Sequence, residues 1–338
     1  MANKIKVSIT FIISVIVILL GIGIGSTFIN PLEVLNVLGH KLFGCELSEN
    51  ISSADVSIVW NFRTIRTLMA FVVGAALSVS GSAMQSVLQN PLASSYTLGV
   101  SAGSSLAAGI IIVFAINFLG IFTIPLIGII FGILTVILTV AIATKFDRNM
   151  QNHTIVLVGM VLSLFLNAII TLLNILNRES MQQMIFWQMG SFAGKQMIEL
   201  GLVATFTIPA IIIMMTKTRE LDILTFGETQ AHSMGVDVKK SKWSILILAS
   251  ALTGCAVSFV GIIGFVDLIA PHVVRRFFGS KHSIVIPMSA LFGGVFMVIA
   301  DIISRIVLQA SDLPIGAVTA LAGAPFFMYV FFKRKKGV

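Results

Sequence analysis

The sequence predicts an all-α, polytopic membrane protein that forms one domain over residues 1–338. Hydrophobic residues make up 57% of the chain and charged residues only 11%, whereas an ordinary soluble domain has about 25% charged residues. The mean hydropathy is +1.03. Apolar runs long enough to cross a bilayer recur from one end of the sequence to the other, which favours a single membrane domain over separate soluble ones.

Ten apolar runs predict ten membrane crossings. A helix of about 20 residues spans the hydrocarbon core, and most of the runs meet that length. Gly264–Phe278 is too short to do so alone and contains a Pro-His step, so we expect a tilted or broken helix there. The ten runs are Val7–Ile29, Thr67–Leu88, Tyr96–Phe118, Ile121–Thr144, Thr154–Leu176, Ile198–Thr216, Trp243–Ile263, Gly264–Phe278, Ser283–Ser304 and Pro314–Phe332.

Three connections between these runs are longer than a simple turn requires. Residues 30–62 and 177–197 are predicted to be extracytoplasmic. The first is amphipathic and acid-leaning, and the second contains FWQMGSFAG, which favours a short helix lying along the surface. Residues 217–242 form the largest polar stretch on the predicted cytoplasmic side, which indicates that another protein docks there.

The formal net charge of +8 indicates membrane topology rather than a nucleic-acid partner. Basic residues cluster beside apolar runs, at the points where an alternating path returns to the cytoplasm. No cluster is interleaved with the aromatic side chains on which bases stack. With ten crossings, both termini are predicted to be cytoplasmic, in a multi-pass protein of the cell membrane. The clusters are Lys4 and Lys6; Lys145 and Arg148; Lys217, Arg219, Lys239, Lys240 and Lys242; Arg275, Arg276 and Lys281; and Lys333–Lys336.

Four ionisable residues fall within apolar runs of the last third of the chain, namely Asp267, His272, Asp301 and Arg305. A charge in hydrocarbon costs about 3 kcal/mol even on the lenient insertion scale, so such residues face protein or a hydrated path. The pattern therefore predicts a protein that moves a solute across the membrane. One interpretation is an ion-coupled secondary transporter that uses Asp267, His272 and Asp301. An intramembrane enzyme is a second.

The sequence does not match the motifs for nucleotide binding, metal binding or nucleophilic catalysis. GSFAGKQ (Gly190–Gln196) resembles a phosphate loop, but only three residues separate its glycines and Gln196 replaces the Ser or Thr that binds Mg²⁺. The five histidines have no paired-ligand spacing. Cys45 and Cys255 are expected at different depths, as free thiols. We therefore expect no cofactor, metal site or enzymatic activity in this chain.

Several motifs follow one another along nearly the whole chain. They are RTIR (Arg63–Arg66), GAALSVSGSAMQSVLQNPLASSYTLGVSAGSS (Gly74–Ser105), FWQMGSF (Phe186–Phe192), GETQAHSMGV (Gly227–Val236), GFVDLIAPHVVRR (Gly264–Arg276) and ADIISR…DLPIGAVTALAGAP (Ala300–Pro325). In this order they resemble the FecCD-type permeases, the membrane subunits of ABC importers for ferric siderophores, haem and cobalamin.

The resemblance implies a type II ABC importer permease fold of ten helices, paired with a second copy or a paralogue around a central path. It also implies two ATP-binding subunits, which hold ATP and Mg²⁺, and an extracytoplasmic substrate-binding protein. The cargo would be a metal chelate. A ferric siderophore is the default expectation, and haem and cobalamin remain open.

The same resemblance assigns roles at the predicted cytoplasmic face. Contact with the ATPase falls to Gly227, Glu228, Ala231, Gly235 and Val236. The residues alone also permit a solvated loop whose helix ends at Gly235. The cytoplasmic gate positions of the family align with Asn152 and His153, between the fourth and fifth crossings.

At the predicted outer face, Arg63, Arg66 and Arg305 match family arginines that pair with acidic residues of the binding protein. The alternatives are contact with lipid headgroups or, for Arg305, an i, i+4 pair with Asp301. Two departures from the family pattern stand out. Thr64 and Ile65 replace the usual Leu-Pro of the first motif, and Asp267 occupies a position usually held by glycine.

Overall fold

The computed structural model describes residues 2–25, 29–48, 51–147, 150–308 and 312–335, and these residues form fifteen α-helices and no strand. Of the predicted features, Ser26–Phe28 of the first crossing, Arg148 and Lys336 lie outside the described residues. The helices are α1 (Ala2–Gly23), α2 (Pro31–Phe43), α3 (Ser53–Ser57), α4 (Ile65–Val87), α5 (Val100–Val113), α6 (Thr123–Phe146), α7 (Asn152–Leu176), α8 (Arg178–Met189), α9 (Met197–Thr216), α10 (Thr218–Leu224), α11 (Glu228–Ser233), α12 (Val238–Val260), α13 (Val266–Phe278), α14 (His282–Ile306) and α15 (Ile315–Lys335).

The prediction of ten crossings is confirmed. Seven helical segments of the described residues are long and apolar enough to span a bilayer, α5 and α15 contain shorter apolar helices, and α13 is the short helix of the eighth run. Each corresponds to one of the ten apolar runs. The seven long segments are Ile5–Gly23, Ser53–Val87, Gly120–Phe146, Asn152–Leu176, Met197–Thr216, Val238–Val260 and His282–Ile306.

Two predicted boundaries are wrong. The second crossing does not begin at Thr67, because a π-helical turn over Ile58–Thr64 joins α3 to α4 as one continuous helical segment. The RTIR motif therefore lies within that segment and not in a loop before it. The third run, Tyr96–Phe118, contains an α-helix of only 14 residues, because Gly99 has a φ of 90° and separates α5 from a 3₁₀ turn.

Two helices are half-length, and both start inside the protein. At 1.5 Å per residue, α5 and α13 each cover about 20 Å, less than the hydrocarbon thickness of about 30 Å. The irregular chain before each is hydrogen-bonded within the protein: the Tyr96 hydroxyl donates to the Ile263 carbonyl at 2.6 Å, and the Ser80 and Ser95 hydroxyls lie 2.6 Å apart. Such backbone is tolerated at membrane depth only where protein or water satisfies it. The short helix predicted at Gly264–Phe278 is present as α13, but it is not broken at the Pro-His step, because α13 is continuous from Val266 to Phe278 with Pro271 inside it.

The helix α4 lies at the centre of the bundle, with 19 of its 23 residues buried. Small residues allow its neighbours to approach closely. A Cβ added at Gly81 would overlap the Asp267 carbonyl of α13, and one at Gly74 would overlap the Gly293 carbonyl of α14. Close approach through small residues is the usual basis of helix packing in membranes, where lipid provides little hydrophobic drive.

Replacement of Gly293 by Ala is expected to destabilise the α4–α14 contact by about 1–3 kcal/mol, the usual cost of overpacking. The new Cβ would overlap the Ser78 hydroxyl and lie 2.5 Å from the Gly74 carbonyl oxygen. Thermal unfolding in detergent measures the effect. Gly201→Ala in α9 is the matched control, because a Cβ there meets nothing within 4 Å and Ala favours the helix. Equal melting temperatures for the two variants would contradict the prediction.

The helix ends gather at two opposite ends of the bundle. At one end, which we call the arginine end, Arg63 and Arg305 bond carbonyl groups of the last turn of α1. At the other, the α10–α11 end, Lys6 near the start of α1 donates to the Phe277 carbonyl at 3.0 Å. The helix α15 starts beside Gly190 and passes His272, whose ring lies 6.4 Å from that of Phe327. Its direction is therefore towards the α10–α11 end, where α1 begins.

Candidate functional site

The centre of the arginine end is Asp301, whose side chain is fully buried between two arginines. Its carboxylate accepts a hydrogen bond from Arg66 Nε at 2.8 Å and lies 3.0 Å from Arg305 Nη2. Arg66 also donates through Nη1 to Asp312 at 2.6 Å, and that carboxylate is 37% exposed. Charges taken out of water need such direct partners, because desolvation of an unpaired ion costs several kcal/mol.

Arg63 and Arg305 also cap the last turn of α1. Arg63 is 7% exposed, and its Nη1 donates to the Gly23 carbonyl at 2.7 Å. Arg305 Nη2 donates to the Gly21 carbonyl at 2.9 Å. The last carbonyls of a helix lack partners within it and carry partial negative charge, which the guanidinium groups neutralise. Arg63 therefore holds α1 against the π-helical turn that precedes α4, and Arg305 holds it against α14.

A depression of about 320 Å³ opens at this end. Its wall brings together the three arginines that the sequence singled out. Arg66 Nη2 and Arg305 Nη1 are buried there and make no hydrogen bond within the described residues. Both are donors of the kind that a carboxylate binds in a forked geometry. The lining residues are Gly25, Ile58, Phe62, Arg63, Arg66, Arg305 and Asp312.

At the opposite end, the five residues assigned to ATPase contact lie on and around α11. Gly227, with a φ of 107°, starts the helix, and Gly235, with a φ of 79°, follows its end. Ala231 is fully buried, and its carbonyl accepts from the Val236 N–H at 3.1 Å. The helix end near Gly235 that the residues alone allowed is present, although Ala231 and Glu228 tie the turn to the rest of the protein.

From the sequence alone, Lys242 is one of the basic residues that indicate topology. In the structure it is fully buried in the first turns of α12. Its ammonium donates to Glu228 Oε1 of α11 at 2.5 Å, to Asn152 Oδ1 at 2.7 Å and to the Met150 carbonyl at 2.9 Å. Helical spacing places Lys242 on the buried face with Ile245 and Ala249. A lysine on an apolar stripe is the signal that could have identified it.

The predicted gate residues Asn152 and His153 begin α7. Asn152 is half-buried and bound to Lys242, whereas His153 is exposed. Met150, just before them, has a φ of 53°, which is uncommon for a residue with a side chain. The structure thus connects one predicted gate residue to one predicted coupling residue through a single lysine. The gating and coupling roles stay predictions.

A second polar network at the same end joins α10 to the helices of the bundle. The His282 ring is buried, with Nδ1 2.6 Å from Asp222 and Nε2 2.6 Å from the Ser86 hydroxyl. Arg275 of α13 donates to the same hydroxyl at 3.0 Å and to Gln85. Sequence reasoning missed His282 and Asp222, which are 60 residues apart.

The three residues of the ion-coupled alternative have different neighbours. Asp301 pairs with arginines at the arginine end, and His272 stacks obliquely near Phe327. Asp267 is buried in the first turn of α13, beside the Ser94 hydroxyl. Its carboxyl oxygens make no hydrogen bond of ordinary geometry within the described residues.

A family model described as the FecCD transport family matches residues 12–333. The vitamin B12 import system permease protein BtuC of Vibrio parahaemolyticus is 33% identical over 328 residues, which cover 95% of this chain and 93% of that one. The molybdate import system permease protein MolB of Haemophilus influenzae is 30% identical over 328 residues, covering 96% and 94%.

A solved structure described as an inward-facing conformation of a metal-chelate type ABC transporter has the same fold. It superposes with a TM-score of 0.83 at 27% identity, and the match covers 96% of this chain and 97% of the other. The type II importer permease fold implied by the sequence is therefore confirmed over 96% of the chain.

Proposed function

Because the chain belongs to the FecCD transport family and is an ABC importer permease, we propose that it carries an iron chelate into the cytoplasm with energy from a separate ATPase. The α10–α11 end is the feature of the structure that best supports this role. Two buried polar networks tie this short segment to α4, α7, α12 and α14. A segment held in this way can pass a displacement to the membrane helices.

The surface of the α10–α11 end suits a protein partner. Phe226 and Met234 flank α11 and are 69% and 57% exposed. Exposed apolar side chains beside polar ones are typical of protein-binding surfaces. We assign this surface to one ATP-binding subunit, so that two permease copies, or one copy and a paralogue, bind two ATPases.

The arginine end is assigned to the substrate-binding protein. Three guanidinium groups line its depression, and their positive charge would attract acidic side chains of a partner that docks over it. Arg66 and Arg305 then have two functions, because each also holds Asp301 inside the bundle.

The proposal also names the solute that the permease carries. Relatives carry names for vitamin B12 and for molybdate import, and the superposed structure is described as a metal-chelate transporter. We favour a ferric siderophore, with haem and cobalamin as the next candidates. Uptake in a strain that lacks this permease and its paralogues distinguishes them, with ⁵⁵Fe-siderophore, haem, cyanocobalamin and molybdate offered separately. Restored uptake of molybdate alone would overturn the iron proposal but not the importer.

The proposed orientation places the arginine end outside the cell, and it predicts the labelling of two cysteines. Cys45 is exposed and Cys255 is buried. An impermeant maleimide added to whole cells should label Cys45, and Cys45→Ser should abolish the signal. Cys255 should react only after denaturation. If Cys45 reacted only in inverted vesicles, the orientation would be reversed.

A further inference from the structure

We propose that Lys242 is the link that passes movement of α11 to the start of α7. The inference rests on the proposed function, since a docked ATPase would supply the movement of α11. Lys242 is then a positioning residue, which makes the connection between α6 and α7 respond to the partner.

The geometry uses the whole bonding capacity of the ammonium group. An ammonium has three N–H donors, and Lys242 Nζ meets three acceptors at 2.5–2.9 Å. Each acceptor belongs to a different structural unit: Glu228 to α11, Asn152 to α7, and the Met150 carbonyl to the α6–α7 connection. Hence α11 cannot move away from α7 without breaking a bond of this one group.

Burial makes such a break costly. The Lys242 side chain is 1% exposed, whereas its partner Glu228 is 30% exposed. A buried ammonium that loses an acceptor has little water to replace it, so the network favours keeping all three bonds. We infer that α11, Lys242 and the start of α7 move as one unit.

The receiving element is backbone that is already constrained. Met150 is 2% exposed and has a positive φ of 53°. Residues with side chains adopt that conformation only where surrounding contacts impose it. Its carbonyl bond to Lys242 is one such contact, so a shift of the lysine changes the conformation that this connection favours.

A cavity of about 540 Å³ lies beside the network and is lined by residues of α11, of the α6–α7 connection and of the start of α12. Thr229 of α11 and Gln151 before α7 are exposed on its wall, which makes them suitable for labels. The lining residues are Met150, Gln151, Glu228, Thr229, His232, Asp237, Val238, Lys239 and Lys242.

The first test compares Lys242→Met with Lys240→Met in the complete complex of permease, ATPase and binding protein in liposomes. Lys240 is exposed in the same helical turn. We expect Lys242→Met to assemble and hydrolyse ATP within about twofold of wild type while uptake falls at least tenfold. The ATP consumed per substrate should then rise at least about fivefold, whereas Lys240→Met should match wild type. Lys242→Arg should recover part of the coupling.

Glu228→Gln should raise the same ratio, and the double variant with Lys242→Met should be no worse than the worse single variant. Non-additivity of this kind is expected when two residues act through one contact. A normal ratio in an assembled Lys242→Met complex would refute the link, and so would full additivity.

A second measurement does not depend on the folding of Lys242→Met. Spin labels at Thr229→Cys and Gln151→Cys, in a Cys45→Ser, Cys255→Ala background, report the distance between α11 and the start of α7. The distance should stay the same with and without ATP while uptake continues. A nucleotide-dependent change of several ångströms would overturn the inference. Absence of ATP-dependent uptake in the wild-type complex would instead refute the proposed function, and the link with it.

Discussion

Asp301→Ala should destabilise the folded protein by about 3–5 kcal/mol and abolish uptake. The substitution leaves the guanidinium groups of Arg66 and Arg305 buried without their shared carboxylate. Removal of one partner from a buried ion pair has a cost of this size, because the remaining charge has lost water and gained nothing. Both arginines also anchor other elements, so we expect α1 and α14 to separate at the arginine end.

Thermal unfolding in detergent and the level of folded protein in the membrane measure this loss. Asp312→Ala is the matched control, because it removes a second carboxylate from the same arginine at an exposed position. Exposed pairs contribute about 1 kcal/mol or less, so this variant should stay close to wild type. Similar melting temperatures for the two variants would show that burial of Asp301 does not determine the strength of the pair.

The helices that cross the membrane could be predicted from composition and run length alone. Each of the ten apolar runs corresponds to a helical segment. The short helix at Gly264–Phe278 was also predictable, because that run has too few residues to span the bilayer, whereas the break expected at its Pro-His step is absent from α13. Hydropathy suffices for the seven long segments, because a helix that spans the bilayer alone needs about 20 apolar residues and satisfies its own backbone hydrogen bonds.

The start of the second crossing was predicted wrongly for a local reason. Asn61, Arg63 and Arg66 lower the hydropathy of the region before Thr67. The chain is nevertheless helical there, through the π-helical turn at Ile58–Thr64. The polar side chains are satisfied by distant groups, such as the Gly23 carbonyl for Arg63. A window of neighbouring residues contains no information about such partners.

The candidate site was predictable only where its partners are close in sequence. The pair of Arg305 with Asp301 has i, i+4 spacing, and the structure contains it. The pair of Arg66 with Asp301 joins residues 235 apart, and Lys242 reaches Asn152 across 90 residues. Contacts at such separations depend on how helices pack, and one sequence without packing information cannot supply them.

Charge reversal at Arg63 and Arg66 would not test binding-protein docking alone. Arg63→Glu places a carboxylate against the Gly23 carbonyl, and Arg66→Glu places one against Asp301. Both changes bury like charges or partial charges together, and we expect the folded transporter to be lost. A test of docking therefore needs a residue on the rim of the depression whose side chain supports no buried pair.

Phe62 meets that requirement, because it is 64% exposed on the wall of the depression. Phe62→Glu should weaken the affinity of the permease–ATPase complex for its binding protein at least tenfold at low salt, equivalent to about 1.4 kcal/mol. The reason is that a new carboxylate at the mouth repels the acidic side chains that the arginines attract.

Phe62→Gln is the control for this variant, because it removes the ring and adds polarity without charge. We expect the defect of Phe62→Glu relative to Phe62→Gln to shrink at 0.5 M salt, where screening shortens the reach of exposed charges to a few ångströms. Melting temperatures of both variants should match wild type, since the Asp301 pairs are untouched. Equal affinities of the two variants at low salt would mean that charge at the arginine end does not guide docking, and Arg66 and Arg305 would then be left with their structural role at Asp301 alone.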